Sequence, residues 1–145
     1  MIRAVLAVLL TVALLAAVTP AVDEGRERRT AIHLDRAVDR IERAARSLHA
    51  HEDPTAPGVA GARRLVGVHL PERSWTAVGA RLWIDGERDL IGYRLDGGRT
   101  RRTRLPGIDL RTPDGRIVLD GGSRRRLELS LVRDDGVGVV VGGGG

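Results

Sequence analysis

The residue types that hold metals or move protons are sparse in this chain, and they gather at one place, His49-x-His51 followed by Glu52 and Asp53. Imidazole and carboxylate together suit a divalent transition metal. The spacing works against it. In a helix, positions i and i+2 point roughly 200° apart, so both rings converge on one ion only where the helix has already ended. A basic, solvated helix end that complements the dipole accounts for the pair without a ligand. His33 and His69 stand alone in the sequence and carry no ligand pattern. There are only four serines, Ser47, Ser74, Ser123 and Ser130, and none has glycine on both sides as a nucleophile elbow requires. Gly136-x-Gly138 is not followed by a helix, so it reads as turn and strand rather than a phosphate loop. No pair of carboxylates stands out for acid–base work. There is no cysteine, which removes disulfides and thiolate metal sites. The expectation is a non-enzymatic protein with no cofactor, no metal site and no evident small-molecule substrate.

The other residues able to do chemistry are arginines. All 24 basic residues are Arg, a side chain that stays charged and forms bidentate contacts with carboxylate and phosphate. Residues 54–145 hold 16 Arg against 11 acidic residues. The stretch Arg99-Thr100-Arg101-Arg102-Thr103-Arg104 would, as a strand, place Arg99, Arg101 and Thr103 on one face and Thr100, Arg102 and Arg104 on the other. Arg124, Arg125 and Arg126 add to this basic ribbon. These arginines are candidate contacts for an anionic surface such as lipid headgroups or, less well, nucleic acid. The three aromatic residues, Trp75, Trp83 and Tyr93, are not spaced as a base-stacking platform, which argues against nucleic acid. A charged edge strand that resists sheet-to-sheet association is the structural alternative.

The elements that must position these residues begin with an apolar run. Residues 4–22 contain no charge. As a helix they span roughly 28 Å, close to the ~30 Å hydrocarbon core of a bilayer. Residues 1–22 are therefore a transmembrane anchor or an uncleaved signal. A signal peptide cut near Ala21 is the alternative, with Arg3 as its basic start and Thr19-Pro20-Ala21 as an imperfect cleavage site. Residues 23–53 form a charged amphipathic helix. Its apolar seam is Leu34, Val38, Ile41, Ala45 and Leu48, at spacings of 4, 3, 4 and 3, which trace one helical stripe. The seam either packs on the chain's own sheet or meets a partner helix. Residues 54–62, rich in Pro and Gly, are a linker.

From residue 63 the period changes to two. Val66/Val68/Leu70, Leu82/Ile84, Ile91/Tyr93/Leu95, Leu127/Leu129/Leu131 and Val137/Val139/Val141 each read as a half-buried strand. Five Asp-Gly pairs lie between the strands: Asp85-Gly86, Asp96-Gly97, Asp114-Gly115, Asp120-Gly121 and Asp135-Gly136. They supply the turn conformations of tight hairpins. Residues 63–141 are thus an antiparallel β domain of six to eight strands, and residues 142–145 a flexible glycine tail. The fold class is α+β. An N-terminal transmembrane helix continues into an amphipathic helix, followed by a small antiparallel β-meander packed on that helix.

The order of parts resembles a small haloarchaeal family of single-pass membrane proteins of unknown function. The residues that carry the resemblance are MIRAVLAVLLTVALLAAVTPAVD, the charged helix after it, RRLVGVHLPERS and LELSLVRDDGVGVVV. The resemblance implies an association with type IV pilus-like assembly components. The architecture also looks like that of type IV pilins and pseudopilins, whose apolar N-terminal helix continues under an antiparallel sheet. Pro20 matches a proline that pilin helices often carry late in the apolar part. No glycine precedes the apolar run and no glutamate lies near its start, so the prepilin-peptidase pattern is missing.

These observations imply a single-pass, membrane-anchored protein whose partners are membrane lipids and other membrane or pilus-like assembly proteins. The soluble part is expected on the extracytoplasmic side, as for short-tailed anchors that resemble signal peptides. The arginine count points the other way, because Arg26, Arg28 and Arg29 outweigh Arg3 across the apolar run. The alternatives are a β binding module released by signal peptidase, or a cytoplasm-facing membrane protein that contacts anionic surfaces through its Arg-rich strands.

Overall fold

The computed structural model describes residues 1–113 and 115–144. Among the described residues a single helix, α1 (Ile2–His51), opens the chain, and eight strands follow. These are β1 (Arg63–His69), β2 (Ala80–Asp85), β3 (Leu90–Leu95), β4 (Thr100–Arg104), β5 (Asp109–Arg111), β6 (Arg116–Asp120), β7 (Arg124–Arg133) and β8 (Val137–Gly144). They form two four-stranded sheets, in the orders β1-β7-β8-β5 and β4-β3-β2-β6, both packed against α1.

The apolar and amphipathic stretches are one continuous helix of 50 residues, ~75 Å long. The two parts meet different surroundings. Every residue from Met1 to Gly25 is exposed, whereas the buried stripe runs through Thr30, Ala31, Leu34, Ala37, Val38, Ile41, Ala45 and Leu48. The first part has what a lipid-facing helix needs. Its hydroxyls are satisfied internally, Thr11 donating to the Ala7 carbonyl and Thr19 to the Leu15 carbonyl, each at 2.8 Å. Pro20 lies inside the helix and lacks an N–H for the carbonyl four residues back, a gap that membrane helices tolerate. By length and composition α1 is able to cross a membrane.

The seam expected from the 4-3-4-3 spacing is the centre of the protein's own core. Leu34, Ile41, Ala45 and Leu48 are fully buried and Val38 nearly so, alongside Val66, Val68, Leu127, Leu129, Val139 and Val141 of one sheet and Leu82, Ile84, Ile91 and Tyr93 of the other. The partner-helix reading of the seam is thereby corrected, because its whole width is covered by the two sheets. The alanines matter as much as the large residues. Ala31, Ala37 and Ala45 let the sheets approach the helix closely, and their own burial leaves no gap.

Both sheets are largely antiparallel, but they are not one meander. β1 pairs with β7 through Arg63↔Ser130, so the chain crosses to the second sheet between β1 and β2, returns for β5, crosses again for β6 and returns for β7 and β8. β5 pairs with β8 in parallel, through Leu110↔Val139. The linker is also more ordered than its composition suggested. Thr55 forms a parallel bridge with Val132, its carbonyl accepting from the Arg133 N–H at 2.8 Å. Residues 142–144, expected as a loose tail, continue β8 and pair with Glu128, Leu127 and Arg126. The reason is that β7 runs on to Arg124 and leaves backbone groups there to be paired.

The helix axis gives the domain a membrane-proximal and a distal end. Arg64 meets Glu52 at 2.5 Å, the His69 carbonyl meets His33 at 2.8 Å, and the Val78 N–H donates to the Thr30 hydroxyl at 3.1 Å. The chain from β1 to β2 therefore runs down α1 towards the apolar part.

Ile41→Ala removes a fully buried side chain and is expected to cost the β domain about 2–5 kcal/mol, read by thermal or denaturant unfolding of the full chain in detergent. Leu9→Ala, on the exposed apolar part, should leave the same transition unmoved.

Candidate functional site

The outward face of the sheet β4-β3-β2-β6 carries the densest set of arginines, and its rows follow from strand register. Arg104, Leu90, Asp85 and Arg116 lie across the four strands in one row, Arg102, Gly92, Trp83 and Val118 in the next, and Thr100, Arg94, Arg81 and Asp120 in the third. Period-two alternation explains why these side chains share a face while Leu82, Ile84, Ile91 and Tyr93 point into the core. Gly92 makes room for the Trp83 ring, since a Cβ there would come within 2.5 Å of the indole. Trp83, Leu90, Asp85, Arg88, Arg102, Arg104 and Arg116 line a surface hollow of about 670 Å³.

Asp85 organises that hollow. It is 2% exposed, yet it is the last residue of β2 and reaches Arg116 at 2.5 Å and Arg88 at 3.1 Å. A buried carboxylate is tolerable only when paired and hydrogen-bonded. The Arg116 hydrogen bond holds its pKa below the usual carboxylate range, against the opposing effect of burial, with Arg88 assisting. Asp85 therefore commits two arginines of the hollow. Arg102 and Arg104 are exposed and have no carboxylate partner among the described residues. The hollow is left with an excess of positive charge beside an indole, a combination able to receive a carboxylate or phosphate.

The seven candidate arginines do not make one ribbon. β4 is the edge of one sheet, while β7 lies inside the other between β1 and β8. Arg124, Arg125 and Arg126 are exposed at the start of β7, away from Arg102 and Arg104 on the outward face. Arg99 precedes β4 in the β3–β4 turn. Arg101 faces the helix and forms a 2.7 Å ion pair with Asp35, whose same oxygen accepts the Tyr93 hydroxyl at 2.7 Å. Burial, with Asp35 as the next cause, raises the Tyr93 pKa and keeps the hydroxyl a donor. Arg101 is thus a tie between sheet and helix rather than an anion contact. Strand alternation separated Arg101 from Arg102 in the sequence, but only the folded register showed which of them faces α1.

The histidines also find structural places. His51 Nδ1 lies 3.2 Å from the Ser47 carbonyl within the last helical turn. His33 and His69 meet edge-on with ring centroids 6.1 Å apart. Among the described residues no three His, Cys, Asp or Glu side chains gather as a metal site would require.

A family model described as a domain of unknown function, DUF7311, matches residues 1–142. The chain belongs to this family. Neither a curated protein nor a solved structure matches it. The match spans the apolar part of α1, its packed part and both sheets.

Asp85→Asn is expected to lower stability at neutral pH by about 1–3 kcal/mol through loss of charge-assisted hydrogen bonds. A depressed carboxylate pKa stabilises the fold above the unfolded value, ~3.9, and that contribution is lost as the pH falls from there through the folded-state pKa. Unfolding curves of the two proteins should therefore separate at pH 7 and converge in acid.

Proposed function

We propose that the protein is a non-catalytic, membrane-anchored component of a cell-envelope or pilus-like assembly, with the β domain held on the extracytoplasmic side. The observation that carries this reading is the continuity of α1. Its exposed, apolar first part is joined without a break to a second part that forms the core of the domain. A domain mounted in this way has a fixed height and orientation relative to the bilayer, which suits a part that must meet other membrane-bound parts. The same division of labour along one helix, lipid first and sheet afterwards, is what pilins and pseudopilins use, and it supports an accessory role beside such a machine.

A second reading is favoured by the outward arginines. Arg102 and Arg104 border a positively charged hollow on an exposed sheet face. That face would suit an acidic partner on either side of the membrane, and a cytoplasm-facing domain would use it in the same way. Release by signal peptidase would leave the packed part of α1 intact, since the buried stripe starts at Thr30.

Three measurements separate these readings. After alkaline carbonate treatment, native membranes should retain the intact chain, and its recovery in the soluble fraction would contradict the anchor. Intact mass should show a start at Met1, or at Ile2 after removal of the methionine, whereas a start at Val22 would establish release. Protease added to intact cells should degrade the β domain, and protection would place it in the cytoplasm. Crosslinking of the full chain in its native membrane, followed by mass spectrometry, should then recover other envelope or pilus-like components. An Arg102→Glu, Arg104→Glu chain should fold normally and lose acidic partners that the second reading requires.

A further inference from the structure

Trp75 is the one large aromatic side chain that the fold leaves in the open, at 93% exposed. It sits at the tip of the 70–79 connection between β1 and β2. The Ser74 N–H donates to the Ala77 carbonyl at 2.9 Å, which closes a tight turn with Trp75 and Thr76 at its apex. That turn is fastened to α1 twice. The Val78 N–H is bonded to the Thr30 hydroxyl, and nearer the tip the Arg26 guanidinium donates to the Ser74 carbonyl. The loop therefore descends along the helix from the level of Thr30 to that of Arg26.

The height of the tip above the bilayer follows from helix geometry. Arg26 lies four residues past Val22, the last residue of the uncharged run, which is ~6 Å along the axis. The headgroup layer on each side of the hydrocarbon core is roughly 5–8 Å thick. Helical side chains also lean towards the N-terminus, so the Arg26 guanidinium, and the Ser74 carbonyl it holds, sit lower than the Arg26 backbone. Arg73 shares a hollow with Asp23, Glu24 and Arg26, which places the loop beside the first charged turn of α1. An indole at this depth has its apolar body against acyl chains and its N–H among headgroups, the placement that enriches Trp at membrane interfaces. Arg29, exposed on the neighbouring turn, supplies a cation for lipid phosphates, while Arg28 beside it pairs with Glu24 at 3.8 Å.

We propose that Trp75 is a second membrane contact, an interfacial anchor that rests the membrane-proximal end of the β domain on the same phospholipid bilayer that α1 crosses. This rests on the anchor reading of α1. It adds that the domain has a defined underside and is not free to swing about the helix end.

The chain's two tryptophans make the test direct. Full-length protein is reconstituted in phosphatidylcholine vesicles, and the Trp75 emission is taken as the difference between the unaltered chain and Trp75→Phe. Trp83→Phe, with Trp75 as the sole tryptophan and excitation beyond the absorption of Tyr93, gives an independent measure. Phosphatidylcholine spin-labelled at the headgroup or the upper acyl chain should cause loss of Trp75 emission well beyond that of Trp83, and acrylamide should quench Trp75 less in vesicles than in detergent-free, denatured protein. Quenching by acrylamide without quenching by labelled lipid would overturn the proposal, as would stronger quenching from labels at the bilayer centre. Protection from both quenchers would also overturn it, because a second copy of the chain rather than lipid would then cover the ring. If the chain floats with the vesicles while Trp75 stays unquenched, the interfacial contact fails and the anchor stands. If the chain does not float, the anchor itself fails.

Discussion

The burial of one helical stripe between two sheets is the interaction on which the rest depends. Leu34, Val38, Ile41, Ala45 and Leu48 contact neither lipid nor water, and without them neither sheet has a covered inner face. Each sheet is small, with strands of 3–10 residues. Sheets of that size are stable only when packed on something. The chain has no Phe and one Tyr, so the covering must come from aliphatic side chains. A helix that is already ordered by the bilayer provides it at a lower entropic cost than a free helix would. In this account membrane insertion and folding of the domain support one another through the same backbone.

Polar ties fix the helix against the sheets at intervals along this stripe. Thr30 bonds the Val78 N–H near the membrane, Asp35 joins Tyr93 and Arg101 in the middle, and Glu52 pairs with Arg64 at the far end. Buried or half-buried, these bonds set the rotation of the helix, which hydrophobic packing alone specifies less sharply. Most other ion pairs are exposed and contribute little to stability. Their value lies in the surface they make. The edge strand β4 carries Arg101, Arg102 and Arg104, and a charged edge discourages pairing with another sheet.

The helix and its buried stripe were legible because helical periodicity is a local property, and Leu34 to Leu48 obey it over two heptads. The strand cores around Val66, Tyr93, Leu129 and Val139 were legible for the same reason. Pairing was not. The partnership of β1 with β7 and the parallel contact of β5 with β8 join segments far apart in the chain, and no local pattern encodes them. The Asp-Gly pairs were informative in part. Asp96-Gly97 and Asp135-Gly136 are turns with positive φ, whereas Asp114 lies outside the described residues. Asp85 is the instructive exception. Its place before Gly86 suggested a turn, but its place in the β2 alternation put it next to Arg116 of β6, and the arginine partner decided its role. The basic ribbon failed on the same ground. Arg102 and Arg126 look adjacent in composition and belong to different sheets.

The central claim is that α1 is one rigid element from lipid to β domain, and Pro20 and the exposed Gly25 are where it would fail. The chain has no cysteine, so two can be introduced and spin-labelled without background. Labels at Ala13 and Arg36, both exposed, are 23 residues apart, ~35 Å along a continuous helix. Electron–electron double resonance on the full chain in bilayers should give a single narrow distance distribution near that value. A broad distribution, or a main population much shorter, would show a hinge between anchor and domain and contradict the account.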